Sequence, residues 1–134
     1  MTTIWSNEKL KEFVQETLGC GCPEKVFEKI NVSSHLVEGY SNGITRIVVG
    51  NTLLIYVIRS QSENNLSDSV ELIGLAGKND KDVNNYNRFR LVVSIAEGVS
   101  RTESYSERFS NIFATDEKMH IHFVREELLE GLFI

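Results

Sequence analysis

Two cysteines in one short turn are the residues of this chain best placed to do chemistry. Cys20 and Cys22 flank Gly21 and precede Pro23, the only proline of the chain. Proline favours the first position of a helix, so the sequence predicts that Cys22 occupies the N-cap of a short helix. There, unpaired backbone N–H groups and the helix dipole stabilise a thiolate over a thiol. Because a thiolate attacks disulfides and binds metal ions, Cys20 and Cys22 are the candidate catalytic residues.

The spacing of the two cysteines assigns them different roles. Cys22 is the expected thiolate, because the dipole acts most strongly at the N-cap, and Cys20 is its resolving or co-ligating partner. A disulfide between residues two apart closes a small, strained ring that is easily reduced. The alternative is structural, because free cysteines often act as small buried hydrophobes. The chain is then a non-catalytic binding or regulatory module with inert cysteines.

A pair of histidines near the other end of the chain offers further metal ligands. On a strand, residues two apart point to the same side, so His120 and His122 can converge on one ion. With Cys20 and Cys22 they make a Cys2His2 set, which makes zinc the candidate cofactor. The spacings differ from those of zinc fingers. The competing expectation is an ordinary antiparallel strand whose alternate apolar residues face the core, which leaves both histidines on the solvent face.

Two arginines form a third candidate site. Arg88 and Arg90 share one face of a predicted strand, and paired guanidinium groups bind a carboxylate or phosphate through several N–H donors. They are therefore the candidate residues for binding a ligand or cofactor. The alternative is a solvated face on which they form exposed ion pairs with Asp80, Asp82 or Glu71. The sequence contains no glycine-rich phosphate-binding motif.

Composition limits the class of protein. The 134 residues, 41% of them hydrophobic and 25% charged, fit a single globular domain over residues 1–134 whose core needs no disulfides. A net charge of −5 argues against binding to nucleic acid or anionic lipid. The first residues show no basic region followed by an apolar stretch, so we expect no secretory leader, and the longest apolar run, Leu53–Ile58, is far too short to span a bilayer. We therefore expect a cytoplasmic protein with reduced thiols.

The elements that position these residues follow from hydrophobic periodicity. A helix is predicted over residues 7–18, capped by Ser6 and stopped by Gly19, and a second helix begins at Pro23. An Asp68–Glu71 capping box opens a later helix that Gly77 ends, followed by a loop over residues 78–87. Period-two patterns predict strands over residues 35–40, 46–49, 53–59, 89–96 and 119–124, and residues 125–131 can form a short final helix.

The order of these elements predicts the fold class and leaves one question about assembly. We expect an α+β fold with two N-terminal helices, then a mainly antiparallel sheet of about five strands with one intervening helix. The last residues, Leu132-Phe133-Ile134, are apolar. Because an apolar chain end is rarely left in water, this segment either docks on the core or pairs with another chain, which allows a homodimer.

Overall fold

A five-stranded mixed sheet organises the chain, with helices on both of its faces. This computed structural model describes residues 5–19, 24–40, 43–59, 63–95 and 102–129, with only the backbone of residues 63–67. Cys20, Cys22 and the C-terminal apolar segment lie outside these ranges. The strands lie side by side in chain order, as β1 (Ile30–His35), β2 (Ile44–Val49), β3 (Leu53–Arg59), β4 (Arg88–Ile95) and β5 (Met119–Arg125).

The sheet is antiparallel in its first half and parallel in its second. β1, β2 and β3 form an antiparallel meander, whereas β3 pairs with β4, and β4 with β5, in parallel. The α+β class holds, but a mainly antiparallel sheet with one intervening helix was the wrong prediction. Two helices, α2 (Glu63–Val83) and α3 (Thr102–Ile112), return the chain to the same end of the sheet, and such crossovers produce parallel pairs. In α3, buried aromatic side chains are separated by serines and charged residues, which concealed its apolar stripe.

The N-terminal helix agrees with its prediction. Helix α1 (Asn7–Glu12) continues as a π-helical turn over Phe13–Thr17. The Ser6 hydroxyl accepts a hydrogen bond from the backbone N–H of Lys9 at 3.2 Å, and Gly19 has a φ of +67°. The predicted second helix is a 3₁₀ turn over Glu24–Glu28, and its proposed first residue, Pro23, lies outside the described residues.

Helix α2 is longer at both ends than its predicted counterpart. It begins before Asp68, so this residue is not its N-cap, and it continues past Gly77 to Val83. A Cβ on Gly77 would lie 2.3 Å from Cε1 of Phe89 on β4. Gly77 is thus required by close contact between helix and sheet, and it does not stop the helix. The predicted loop over residues 78–87 is therefore the last part of α2 followed by a short turn.

The first strand is the other element that was misplaced. It covers Ile30–His35 and not residues 35–40. Asn31, Ser33 and Ser34 are exposed along it, because β1 lies at the edge of the sheet and its polar residues need no core partner. Strand β3 matches its predicted bounds, and the chain continues from β5 into a 3₁₀ turn, Glu126–Leu129, where a final short helix was expected.

Each face of the sheet has its own hydrophobic core. On one face, α1 and its π-helical continuation cover side chains that include Ile47, Ile55 and Val92. On the other face, α2 and α3 cover side chains that include Tyr56, Phe89 and Leu91. None of the helices within the described ranges has the length and hydropathy needed to cross a membrane. Because both faces are covered, a polar side chain on either face is drawn into the interior unless it lies near an edge of the sheet.

Candidate functional site

An open groove lies between α2 and the segment that follows β1. It has a volume of about 570 Å³. Residues 35–38 line it on one side, α2 lines it on the other, and side chains of β2 and β3 lie between them. The volume is in the usual range for ligand-binding clefts. The lining residues are His35, Leu36, Val37, Glu38, Arg46, Tyr56, Leu72, Leu75, Ala76, Asn79, Asp80, Val83 and Asn84.

Exposed apolar side chains concentrate at this groove. Among the described residues, four large hydrophobic side chains are exposed, and three of them line it: Leu36 (76% exposed), Leu75 (50%) and Val83 (69%). The fourth, Leu128, does not line the groove. Single exposed leucines are normal on any surface, but apolar side chains gathered around one concave region indicate a binding surface.

The base of the groove is a closed network of charged and polar groups around Asp80. Arg46 donates from Nε to Asp80 Oδ2 at 2.8 Å and from Nη2 to Asp80 Oδ1 at 2.9 Å. The Tyr56 hydroxyl donates to Oδ2 at 2.5 Å, and the Asn84 amide donates to Oδ1 at 2.8 Å. Arg46 Nη2 also donates to the hydroxyl of Tyr86 at 3.3 Å. The network joins the last turns of α2 to β2 and β3.

The ionisation of this network is fixed at neutral pH. Burial opposes the charge on Asp80, but hydrogen bonds from Arg46 and Tyr56 outweigh it and lower the pKa of the carboxyl group. The hydrogen bond to Asp80 raises the pKa of Arg46. Burial, followed by the hydrogen bond to Asp80, raises the pKa of Tyr56. The base therefore carries a matched ion pair and a protonated phenol, an arrangement that favours binding by shape over acid–base chemistry.

A second charged cluster ties α2 to the turn before β5. The carboxylate of Asp116 accepts from Lys78 Nζ at 2.8 Å and lies 3.1 Å from Lys81 Nζ, while its Oδ1 accepts the backbone N–H of Lys118 at 3.0 Å. Burial opposes the charge, but these donors lower the pKa of Asp116 to about 2. Asp82 pairs with the same two lysines. These contacts hold α2 in place and leave no carboxylate of the cluster unpaired.

Basic side chains of β4 and β5 share the opposite face of the sheet. Arg90 is 7% exposed, and its Nη1 donates to the backbone carbonyl of Leu18 at 2.8 Å and lies 2.7 Å from His122 Nε2. Arg90 pairs with His120 across the parallel register. We call this group, together with Lys118 in the turn before β5, the basic face; its residues are Arg88, Arg90, Lys118, His120 and His122.

The two histidines do not lie on a solvent face. Both are partly buried, since they share the sheet face that α1 covers. Burial, followed by the nearby charge of Arg90 and by His120, lowers the pKa of His122 to about 4. Burial, Arg90, Arg88 and Lys118 lower the pKa of His120 as well, while Asp116 opposes this shift. At neutral pH His122 is therefore an uncharged ring whose Nε2 accepts the hydrogen bond from Arg90.

The ion pairs proposed as the alternative for the arginines do not form. Asp80 binds Arg46, Asp82 binds Lys78 and Lys81, and Glu71 binds Arg108 at 2.9 Å. Arg88 is exposed, and the described residues provide no carboxylate partner for it or for Arg90. Sequence analysis therefore selected a pair of arginines whose counter-ion is absent from the described part of the chain.

The proposed metal ligands are brought together only in part. His120 and His122 are neighbours on β5, but no cluster of three or more histidine, cysteine or acidic residues suited to a metal occurs within the described ranges. Cys20 and Cys22 fall outside those ranges. In sequence, Cys20 follows by two residues the Leu18 carbonyl that Arg90 binds.

Sequence analysis missed the groove. Its α2 wall combines Leu72, Leu75, Ala76, Asn79 and Val83, at positions i, i+3, i+4, i+7 and i+11 of one helix. This stripe was the available signal, and assigning a helix end to Gly77 cut it in two.

The chain has no detected relatives that could supply a function. Neither the protein-family models, nor the curated proteins, nor the solved structures compared with it gave a match. The groove suits an apolar ligand, because its rim is apolar and its base is neutral overall. The basic face suits an anion, because its charges lack a described counter-ion. Functional inference therefore starts from the chemistry of these two surfaces.

Proposed function

We propose that this chain is a non-catalytic binding module that holds an extended segment of a partner protein in the groove beside α2. The observation that carries the proposal is the convergence of Leu36, Leu75 and Val83 on one open groove. Water around these side chains is released when a ligand covers them, and the apolar area removed from water drives binding.

An extended segment is favoured over a helix because the groove adjoins a sheet edge. β1 is the first strand of the sheet, and within the described residues no strand pairs with its outer side. Its last residue, His35, lines the groove. A segment that adds to β1 as a further strand receives main-chain hydrogen bonds, and every second side chain then points toward the face that holds the groove.

The polar groups of the groove favour a segment with apolar side chains and little charge. The Arg46–Asp80 pair is internally neutralised, so the base offers no net charge to a ligand. Glu38 contributes one carboxylate at the rim, while Asn79 and Asn84 add neutral amides. Amide groups suit the peptide backbone of a ligand, whereas an unpaired charge placed over this base would lose hydration without gaining a partner.

Selection from a phage-displayed library of random peptides tests this proposal. We expect enriched peptides to carry aliphatic or aromatic residues at alternating positions and to lose binding in the Leu75→Lys variant. The matched control is Leu128→Lys, which places the same charge at a leucine of similar exposure (52%, against 50% for Leu75) outside the groove.

Three results would overturn the assignment of a partner segment to the groove. One is a library that yields no enriched peptide. Another is a set of peptides that bind wild type and Leu75→Lys equally well. The third is a chain that forms a dimer in light scattering and becomes monomeric on Leu75→Lys, because the groove is then occupied by a second copy.

A thiol or metal site at Cys20 and Cys22 is the second candidate function. It is favoured by the buried Arg90 guanidinium, which binds the carbonyl of Leu18, two residues before Cys20 in sequence, because positive charge near a cysteine stabilises the thiolate. We expect a thiolate at Cys22 to react with an alkylating reagent below the pH at which an ordinary thiol reacts. Two unreactive cysteines at pH 8, together with the absence of zinc in elemental analysis, would eliminate both the redox and the metal interpretation. Cys20→Ser and Cys22→Ser then assign the reactive sulfur.

A further inference from the structure

We propose that the basic face binds an oxyanion, and that a phosphate group is the class of ligand it fits best. This second site is independent of the groove. It lies on the other face of the sheet, and different strands and side chains form it.

Arg46, which is half-buried, and Arg90, which is buried, differ in how their donors are used. Arg46 presents Nε and Nη2, which share one edge of the guanidinium plane, to both carboxylate oxygens of Asp80. Arg90 uses Nη1 for Leu18 and His122, while its buried Nε has no hydrogen-bond partner. A buried N–H without a partner costs free energy, and a paired oxyanion on the same edge would satisfy it. Arg46 thus makes a two-donor contact with a carboxylate, and Arg90 lacks a contact of this kind.

Among the described residues, the surroundings of Arg90 add positive charge and no carboxylate that pairs with it. Arg88 and Arg90 lie two residues apart on β4, so they share one face about 7 Å apart. His120 lies next to Arg90 on β5, and the charge of Lys118, in the turn before β5, also acts on His120. The nearest acidic group to influence His120 is Asp116, which is already held by Lys78 and Lys81. In a chain of net charge −5, such a local excess of positive charge selects anions.

A purely structural role explains only part of this arrangement. The Leu18 carbonyl ends the helical N-terminal segment, and a cation at a helix C-terminus stabilises unpaired carbonyls. That role accounts for Nη1 of Arg90. It does not account for the unpaired Nε, or for Arg88 and His120 on the same face with the charge of Lys118 acting on His120.

Phosphate fits this set better than a single carboxylate does. Two guanidinium groups and one ammonium group exceed the charge of one carboxylate, whereas a phosphate dianion offers more charge and additional acceptor oxygens. His122 and His120 are the nearby groups that can respond to the anion. Their ring signals therefore report on a ligand bound at this face.

The test is an NMR titration of the full chain with inorganic phosphate, against chloride at equal ionic strength. We expect saturable shifts of the His120 and His122 ring signals with phosphate only. Arg88→Gln should weaken phosphate binding about 10-fold, because it removes one charge-assisted contact. Arg88 is exposed, so this variant is expected to fold.

Arg108→Gln is the matched control, because it removes one exposed arginine charge from another part of the surface. It should bind phosphate as wild type does. The proposal is overturned by equal shifts in phosphate and chloride, by equal weakening in Arg88→Gln and Arg108→Gln, or by acetate that binds more tightly than phosphate. The Leu75→Lys variant keeps its phosphate response if the site is independent of the groove, so failure of either proposal can be recognised separately.

Discussion

Gly77 of α2 lies against the ring of Phe89 on β4, with no space for a side chain between them. A Cβ at this position would lie 2.3 Å from the Phe89 Cε1 and Cζ atoms. The contact sets how closely α2 approaches the sheet, and α2 in turn carries one wall of the groove. The absence of a single methyl group therefore determines where Leu75, Asp80 and Val83 are placed.

Gly77→Ala is expected to destabilise the fold, although alanine is the better helix former. Overpacking of a close contact costs about 1–3 kcal/mol. The replacement of glycine by alanine gains about 1 kcal/mol in helix propensity, so a cost in the upper part of that range exceeds the gain. Urea denaturation measures the change. Gly43→Ala is the control, because a Cβ there meets only ordinary contacts at 3.7 Å and beyond. Equal stability of Gly77→Ala and wild type would show that α2 can move away from the sheet without cost.

Asp80→Asn is expected to lower the free energy of unfolding by about 2–4 kcal/mol, because it leaves the partly buried Arg46 charge without its carboxylate. The Asp80 side chain is only 13% exposed, so solvent cannot replace the lost contact fully. Glu71→Gln removes a carboxylate from the exposed pair with Arg108 and should cost less than about 1 kcal/mol. Similar losses in the two variants would contradict a special role for the network.

Acid should destabilise the fold through Asp116 and Asp80. Both carboxyl groups have a lower pKa in the folded chain than the ordinary value of 3.8, and that of Asp116 is about 2. Their stabilisation is complete above pH 4 and is lost as the pH falls toward 2, because the unfolded chain binds protons first. We expect thermal melts to record a loss of about 1–3 kcal/mol across this window. Asp116→Asn should flatten the slope there, and an unchanged slope would remove Asp116 from the explanation.

A separate decrease in stability is expected at milder pH from His122. Its pKa is about 4 in the folded chain and 6.5 ordinarily, so between these values the unfolded chain binds more protons. Stability is therefore highest above pH 6.5 and decreases by about 1–3 kcal/mol as the pH falls to 4. His122→Gln keeps an acceptor for Arg90 and cannot titrate. Its melting temperature should vary less than that of wild type between pH 7 and pH 4, and the same dependence in both would contradict the assignment.

The parts of the fold that could be predicted are those whose local pattern agrees with their environment. The α1 stripe, the Ser6 cap and the run from Leu53 to Arg59 needed no knowledge of the rest of the chain. Gly77 was misleading because a glycine is required there by its contact with Phe89, which is distant in sequence. From the local sequence alone, a glycine required by packing looks the same as a glycine that ends a helix. Likewise, β1 carries only a short period-two pattern, Ile30 and Val32, because an edge strand has fewer neighbours to pack against.

The candidate sites were predictable to different degrees. The spacing of Arg88 and Arg90 on one strand was enough to select them as candidates. Their lack of a described carboxylate partner arises because Asp80, Asp82 and Glu71 form ion pairs with other basic residues. Those partners are set by the position of α2, which sequence spacing does not reveal. The groove was not predictable for a related reason: Leu36 and Leu75 line the same groove only because the segment that follows β1 and helix α2 lie on opposite sides of it.

The change from antiparallel to parallel pairing at β3 has a consequence for how the chain folds. Connections of eight and three residues join β1, β2 and β3, so their contacts are local and close with little loss of chain entropy. β4 can pair with β3 only after the long intervening segment, residues 60–87, has closed into a loop. Contacts between residues so distant in sequence form slowly. We therefore expect the meander to form in the folding transition state before the parallel half. Ile47→Ala should slow refolding, whereas Val92→Ala should mainly accelerate unfolding. The reverse pattern would refute this order.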